Sequence, residues 1–502
     1  MENPKKHIKF TAIAAAAALV LAQTGRADGP SSPAQPSPQP PPLVTPPRSV
    51  PLSAEQTSAT PINGPASPEN SPGFTGFSRP AWLTDLSFGV KASYDDNIYR
   101  VSGIGMPTEG SAVEVYSLKL GFDLSSILAA DPGTIQTFSI IYQPDEAVYN
   151  EAPAEDYTAH RANVTLRGKS GDLSFGFEDA FLYNDGSKLA ETYALNQLGG
   201  AAANQNDKYR NSLAHAPARE RRNQYQDRYN TFVQFDTQYV FFRAASYLNY
   251  IHMNTYLFNT SLAPYKGYQD YPSRYDVNVG GDLGFKLAPG WALTLGYRDG
   301  YQYQQQFSAS INSDQHYSSN HYQRLLFGVE GKVSWLTLKL VAGPDFRDFN
   351  PNTPITDLHT TRYFGEASAT ASFAGNQSIT LNYRDYIFVS STGLVPFEEY
   401  TYGLVYHWSA TKQLGFDLGA RLFQHNYTLG NDLAGSAPSL RDDYEYEGSV
   451  GVTYALTTHL TASLGYTYDK GWNGIDDLAA NYAPGYRNFE DGVVTAGFQY
   501  RF

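Results

Sequence analysis

From Leu86 onward the chain returns again and again to one pattern, an apolar side chain at every second residue. It runs through "LSFGVKASY" (Leu86 to Tyr94), "YSLKLGFDL" (Tyr116 to Leu124), "YDVNVGGDLGFKL" (Tyr275 to Leu287), "LTLKLVA" (Leu336 to Ala342), "LGFDLGARL" (Leu414 to Leu422) and "LTASLGYTY" (Leu460 to Tyr468). Side chains alternate between the two faces of a strand, so each segment reads as β-structure with one greasy and one wet face. Lys91, Lys119, Asp282, Lys286, Lys339, Asp417 and Arg421 sit on the wet side. A soluble sheet tolerates this pattern, but it then needs a core for the apolar face of every strand.

The connections decide between the two. Eight are tight, such as "GKSGD" (Gly168 to Asp172), "APG" (Ala288 to Gly290) and "TTH" (Thr457 to His459), and they alternate with nine longer polar stretches, the longest at 186–222. Seventeen connections join about 18 strands, with 16 as the neighbouring even count, and an even number brings both termini to one rim. Short turns on one rim and long loops on the other are the asymmetry of an outer-membrane barrel. Such a barrel also gives every backbone N–H and C=O an internal partner, as lipid demands. The expected fold is therefore all-β, a closed antiparallel transmembrane β-barrel with periplasmic turns and extracellular loops.

Residues 1–27 read as a signal peptide. Lys5, Lys6 and Lys9 precede the apolar run "FTAIAAAAALVLA" (Phe10 to Ala22), with small residues at Ala22 and Ala27 as candidate cleavage sites. A mean hydropathy of -0.41 argues against a bundle of membrane helices, each of which takes about 20 apolar residues. Residues 28–81 form a Pro-rich segment with too little apolar mass to offset the entropy of ordering, read as a disordered periplasmic linker. The barrel occupies 82–502. Of 30 prolines, 16 fall in residues 1–80, and the rest are expected mostly at turns, since a strand ladder needs N–H donors. Cysteine is absent, which removes disulfides, thiolate metal sites and cysteine nucleophiles.

The chain ends on "VVTAGFQYRF", in which Val494, Ala496, Phe498, Tyr500 and Phe502 share one face. A terminal Phe behind alternating apolar residues resembles the signal by which barrel-assembly machinery recognises its clients, here Phe498, Tyr500 and Phe502. "ASYDDNIYR" (Ala92 to Arg100) is similar to the "YDDN" opening of the family called putative β-barrel porin 2. The general likeness to porin-like barrels covers residues 86–502 and leaves the Pro-rich segment outside. In general porins the third long loop folds inward. That resemblance implies that 186–222 narrows the lumen, with Lys208, Arg210, Arg219, Arg221 and Arg222 at a constriction; a mobile surface loop is the equal alternative.

Charge bears on the interior. Removing the six basic and four acidic residues of 1–80 leaves 30 against 45, a balance of -15 for the rest. The inward positions come out near balance, with Arg161, Arg243, Arg298, Arg324, Arg362, Arg384 and Arg421 facing Asp123, Glu178, Asp282, Glu330, Glu366 and Asp417. No strong ion preference follows from that list. The acidic excess is then assigned to the outer loops, at Asp95-Asp96, Glu398-Glu399, Asp442-Asp443 and Asp476-Asp477. Such pairs could hold Ca²⁺ or Mg²⁺ by hard oxygen ligands, or could simply solvate the rim.

No nucleophile motif, phosphate loop or metal-binding His pair accompanies the ten scattered His, so no enzyme is expected and no cofactor. The leading expectation is a channel for passive diffusion of small hydrophilic solutes in the outer membrane. The alternatives are a polysaccharide export channel and a closed structural or adhesive surface barrel. Expected partners are outer-membrane lipid and lipopolysaccharide, the assembly machinery, and peptidoglycan through the linker; no nucleic acid is expected, and the oligomeric state is open. N-terminal sequencing of the exported protein should begin just after Ala22 or Ala27, and an intact Met1 would refute the signal peptide.

Overall fold

A computed structural model of the chain describes residues 80–98, 110–125, 134–153, 156–185, 224–253, 273–305, 318–351, 353, 355, 357–389, 396–426, 441–475 and 489–502. They form 18 strands: β1 (Leu83–Asp95), β2 (Ser111–Asp123), β3 (Ile135–Tyr149), β4 (Tyr157–Ser170), β5 (Leu173–Asn184), β6 (Gln224–Asp236), β7 (Val240–Met253), β8 (Arg274–Ala288), β9 (Trp291–Gln304), β10 (Asn320–Val333), β11 (Leu336–Phe349), β12 (His359–Phe373), β13 (Gln377–Phe388), β14 (Phe397–Ser409), β15 (Leu414–Asn426), β16 (Arg441–Ala455), β17 (Leu460–Ile475) and β18 (Phe489–Arg501). Each pairs antiparallel with its neighbours in sequence, and β1 pairs with β18, so the sheet closes on itself. The seam runs from Ser87↔Arg501 to Asp95↔Val493. At its end the Phe502 N–H donates to the Leu86 carbonyl at 2.9 Å, so the last residue completes the ladder.

Tight and long connections alternate as the sequence implies. Gly290 shows what a tight turn demands. Its φ is +80°, and a Cβ there would stand 2.4 Å from the Lys332 carbonyl oxygen, so both backbone conformation and space require glycine. Among the connections on the tight-turn rim, the one between β2 and β3 is longer, running over 124–134.

Alternation sorts the side chains onto two surfaces. On β9, Leu293, Leu295 and Tyr297 face outward and exposed, while Gln302 and Gln304 on the other face are buried. Outward apolar residues are exposed around the ring, Leu464 at 57% and Phe498 at 58%. They are bounded by two aromatic belts. Trp82, Tyr239, Trp335, Trp408, Tyr454 and Phe502 mark the tight-turn rim, and Tyr94, Tyr301, Tyr363, Tyr402 and Tyr446 the long-loop side. Rings meet along the second belt, Tyr275 stacked on Tyr303 at 5.0 Å and Tyr383 tilted against Tyr402 at 5.2 Å. An apolar band between aromatic girdles is the surface a bilayer-spanning barrel presents to lipid. Among the described residues no helix is long and apolar enough to cross a membrane.

Two prolines depart from the expectation that strand interiors exclude them. Pro144 lies in β3 and Pro344 in β11. Each interrupts the ladder with the preceding strand: the β2–β3 register steps from Ser117↔Asp145 to Leu120↔Tyr142, and the β10–β11 register from Arg324↔Asp345 to Phe327↔Ala342. A proline has no N–H to give, so pairing lapses beside it. In both cases the next residue is an inward Asp, and both Asp145 and Asp345 are buried.

The outer band makes a direct prediction. Leu464→Arg should destabilise the barrel in lipid vesicles by about 2–4 kcal/mol, read from denaturant unfolding, because it presents a charge to the bilayer interior. Ser463→Arg, one residue away but lumenal, should cost much less; equal costs would refute the two-surface assignment.

Candidate functional site: the charged lumen

The register places Arg161, Arg243, Arg298, Arg324, Arg362, Arg384 and Arg421 on the inward face, with Asp123, Glu178, Asp282, Glu330, Glu366 and Asp417. Their partners are mostly not one another. Arg243 makes a two-pronged contact with Glu330, at 2.5 and 3.2 Å, and Arg298 lies 2.8 Å from Asp282. Arg161 pairs with Asp145, Glu178 with Arg167 and Glu366 with Lys339. Arg421 donates to Glu447 at 2.5 Å. Asp123 accepts from Ser125 at the tight-turn rim, and among the described residues no arginine pairs with it. The expected constriction residues Lys208, Arg210, Arg219, Arg221 and Arg222 lie outside the described residues.

The most connected part of the lumen was not legible as a site. Arg347 on β11 is fully buried, its guanidinium donating to Asp345 at 2.9 and 3.0 Å, to Gln302 at 2.7 Å and to Asn320 at 2.9 Å. Gln302 in turn donates to the Tyr386 hydroxyl at 2.8 Å and the Ile387 carbonyl at 3.0 Å. Gln302 is on β9 and Tyr386 on β13, four strands away around the ring. Tyr322 donates to Asp276 at 2.8 Å, tying β10 to β8. Bonds between strands that are not neighbours brace the β8–β13 side of the wall from within.

Arg324 sits in the same bracket. Tyr322, Phe364 and Tyr386 surround its guanidinium at 4.0, 4.5 and 4.8 Å from their ring centres, a cation–π enclosure. Its Nε is 3.2 Å from Asp345, but poorly aligned, and its Nη2 has no hydrogen-bond partner. Arg384 stacks on the same aromatic group, 4.2 Å from the Tyr386 ring centre and 5.3 Å from that of Phe388.

On the other side of the lumen the upper ends of β16, β17 and β18 carry Glu445, Glu447, Asp469 and Asp491, all buried and inward. Two of the acidic pairs expected in loops lie in strands instead. Glu398 and Glu399 lie in β14, and Asp442 and Asp443 in β16, because the strands continue beyond the apolar band. Glu399 faces inward and is 3.1 Å from His425. The lumen therefore has an arginine-rich side and a carboxylate-rich side.

Of the remaining pairs, Asp95 and Asp96 converge with Asp491, their carboxylate oxygens within 4.8 Å of one another. Asp96 accepts the Gly492 N–H at 2.7 Å across the β1–β18 seam. Three carboxylates would supply about half the donors Ca²⁺ takes. Asp476–Asp477 lies outside the described residues.

One further arrangement carries the donor order of a hydrolase. Asp417 contacts His407 Nδ1 at 2.8 Å, and His407 Nε2 lies 3.0 Å from the Ser409 hydroxyl. A hydrolase also needs free donors aimed at an oxyanion. The Ser409 N–H instead donates to the Asn376 carbonyl, and the Asn376 amide donates to the Ser409 carbonyl. These nearest donors are engaged in joining strands, so the trio reads as a polar cluster of the wall.

No family model matches the chain, and no curated protein does. The nine-residue likeness of Ala92 to Arg100 to putative β-barrel porin 2 thus stands alone. Among solved structures, OccAB4 of Acinetobacter baumannii is similar at 11% identity over 83% of this chain and 98% of that one, with a TM-score of 0.38. OccK2 (OpdF) of Pseudomonas aeruginosa, in complex with glucuronate, has 10% identity, 84% and 99% coverage and a TM-score of 0.36. A point mutant of the ferric enterobactin receptor PfeA of P. aeruginosa has 12% identity, 84% and 81% coverage and a TM-score of 0.34. Likeness this distant leaves the function to be argued from the barrel itself.

Arg347→Ala would leave Asp345 buried without its two charge-assisted hydrogen bonds. The variant should lose about 3–5 kcal/mol of unfolding free energy. A loss under about 1 kcal/mol, the range of an exposed pair, would show that the bracket does not hold the wall.

Proposed function

We propose that the protein is an outer-membrane channel for passive diffusion of small hydrophilic solutes. The observation that carries the reading is the opposition of surfaces: an apolar outer band between aromatic belts encloses an inner wall of arginines and carboxylates. A charged interior is retained in a membrane when water and polar solutes occupy it, and the fixed charges favour polar over apolar solutes. The reading is one of transport, with no reaction assigned.

The same proposal takes membrane lipid and lipopolysaccharide as the surroundings of the outer band. It takes Phe498, Tyr500 and Phe502 as the segment recognised during barrel assembly, and the Pro-rich segment as an arm directed toward peptidoglycan. A polysaccharide exporter remains the second reading, supported by the arginines of β10–β13.

Planar-bilayer recording of the refolded protein tests the proposal. Stable unitary steps of ionic current, with permeation of neutral sugars in liposome swelling, are expected. A folded barrel, identified by heat-modifiable migration in gels, that passes neither ions nor sugars would overturn it.

A further inference from the structure

The "YDDN" stretch, Tyr94 to Asn97, closes the outer end of the first strand, and each of its residues has a distinct place there. Tyr94 stands outward in the aromatic belt. Asp95 makes the last backbone pair of β1 with β18, opposite Val493. β18 reaches further, and its Phe489 and Asp491 still pair with Gly471 and Asp469 of β17. On the β1 side, that end of β18 therefore carries backbone groups beyond the reach of the regular ladder.

Asp96 and Asn97 meet those groups instead. The Asp96 N–H donates to the Gly492 carbonyl at 3.2 Å, and its Oδ1 accepts the Gly492 N–H at 2.7 Å, so one residue clasps both backbone groups of another. The Asn97 Nδ2 donates to the Glu490 carbonyl at 2.8 Å. Asp95 prepares this, because its Oδ1 accepts the Asn97 N–H at 2.9 Å, an Asx turn that ends the extended run. Gly492 admits the approach: a Cβ there would stand 2.9 Å from Asp96 Oδ2. Past the turn, Ile98 is fully buried in a cluster with Val113, Ala147 and Tyr149 of β2 and β3, which anchors the far side of the segment.

We propose that Asp96 and Asn97 form a latch that closes the barrel seam beyond its backbone ladder, and that the wall between β1 and β18 opens from this end when the latch lets go. Two of its three bonds across the seam run through side chains, which release by rotating while the strand beneath stays paired. The latch also draws like charges together, since carboxylate oxygens of Asp95, Asp96 and Asp491 lie within 4.8 Å of one another. Their repulsion opposes the hydrogen bonds and keeps the closure near balance. The latch acts on the wall whether or not the lumen conducts.

Amide hydrogen exchange of the full refolded barrel in lipid vesicles, read by mass spectrometry on peptides of β18, tests the latch. Asp96→Ala should speed exchange over residues 489–494 about tenfold, the scale of one lost hydrogen bond to a charged group, while residues 497–501 exchange as in the wild type. Asp96→Asn keeps the acceptor and removes one of the three charges, so it should exchange no faster than the wild type. Asn97→Ala, which leaves Asp96 in place, should give the same local pattern at about threefold and carries the test if Asp96→Ala does not fold. Unchanged exchange over 489–494 in the folded variants would overturn the latch, because that end of β18 would then be held by something else. Acceleration spread evenly along β18 would overturn it as well, since the loss would be global. Asp96→Asn exchanging as fast as Asp96→Ala would show that the acceptor oxygen is not what holds the seam.

Discussion

Everything in this structure depends on the hydrogen-bond ladder being closed. An open 18-stranded sheet would present two rows of unpaired N–H and C=O groups, each costing several kcal/mol in hydrocarbon. Pairing β1 with β18 removes both rows together. Closure also fixes which side of each strand faces lipid, so a two-residue sequence pattern becomes a two-surface object. The interior charges follow from that: once the outer surface is committed to lipid, the wet positions have only the lumen to face.

Within the lumen the charges do two jobs that differ by position. The Arg347–Asp345–Gln302 group is shielded from water and binds strands that are not neighbours, which stiffens one side of the wall. Arg384 stands on that wall, stacked on Tyr386, and its Nε and Nη1 make no hydrogen bond. The aromatic rings around Arg324 and Arg384 supply packing and direction at once.

The sequence made the barrel legible because lipid-facing positions must be apolar, and that requirement repeats on every strand. Facing direction for Arg243, Arg298 and Arg421 followed from the same alternation. Partner choice did not, since it depends on register and on how far the wall bends inward. Arg228 lies in "QYQDRYNTF" and Arg347 in "GPDFRDF", where polar residues occupy both faces and the alternation gives no sign of which is which. The same blurring ended the strands too early in the sequence reading, and put Glu398–Glu399 and Asp442–Asp443 into loops. Hydrogen bonding continues above the membrane band after the apolar signal has stopped.

The seam has a further consequence in time. Ser87 and Gln499 share a hydrogen bond although 412 positions separate them, so the contact that completes the ring is also among the most distant in sequence. Such a contact cannot form until the last strand has been made, and bringing its ends together incurs the largest loop-closure entropy in the barrel. Until then the chain carries an apolar face on every strand and two raw edges, the combination most prone to pairing with other chains. A newly exported copy must therefore be kept from its own kind until Phe502 reaches Leu86.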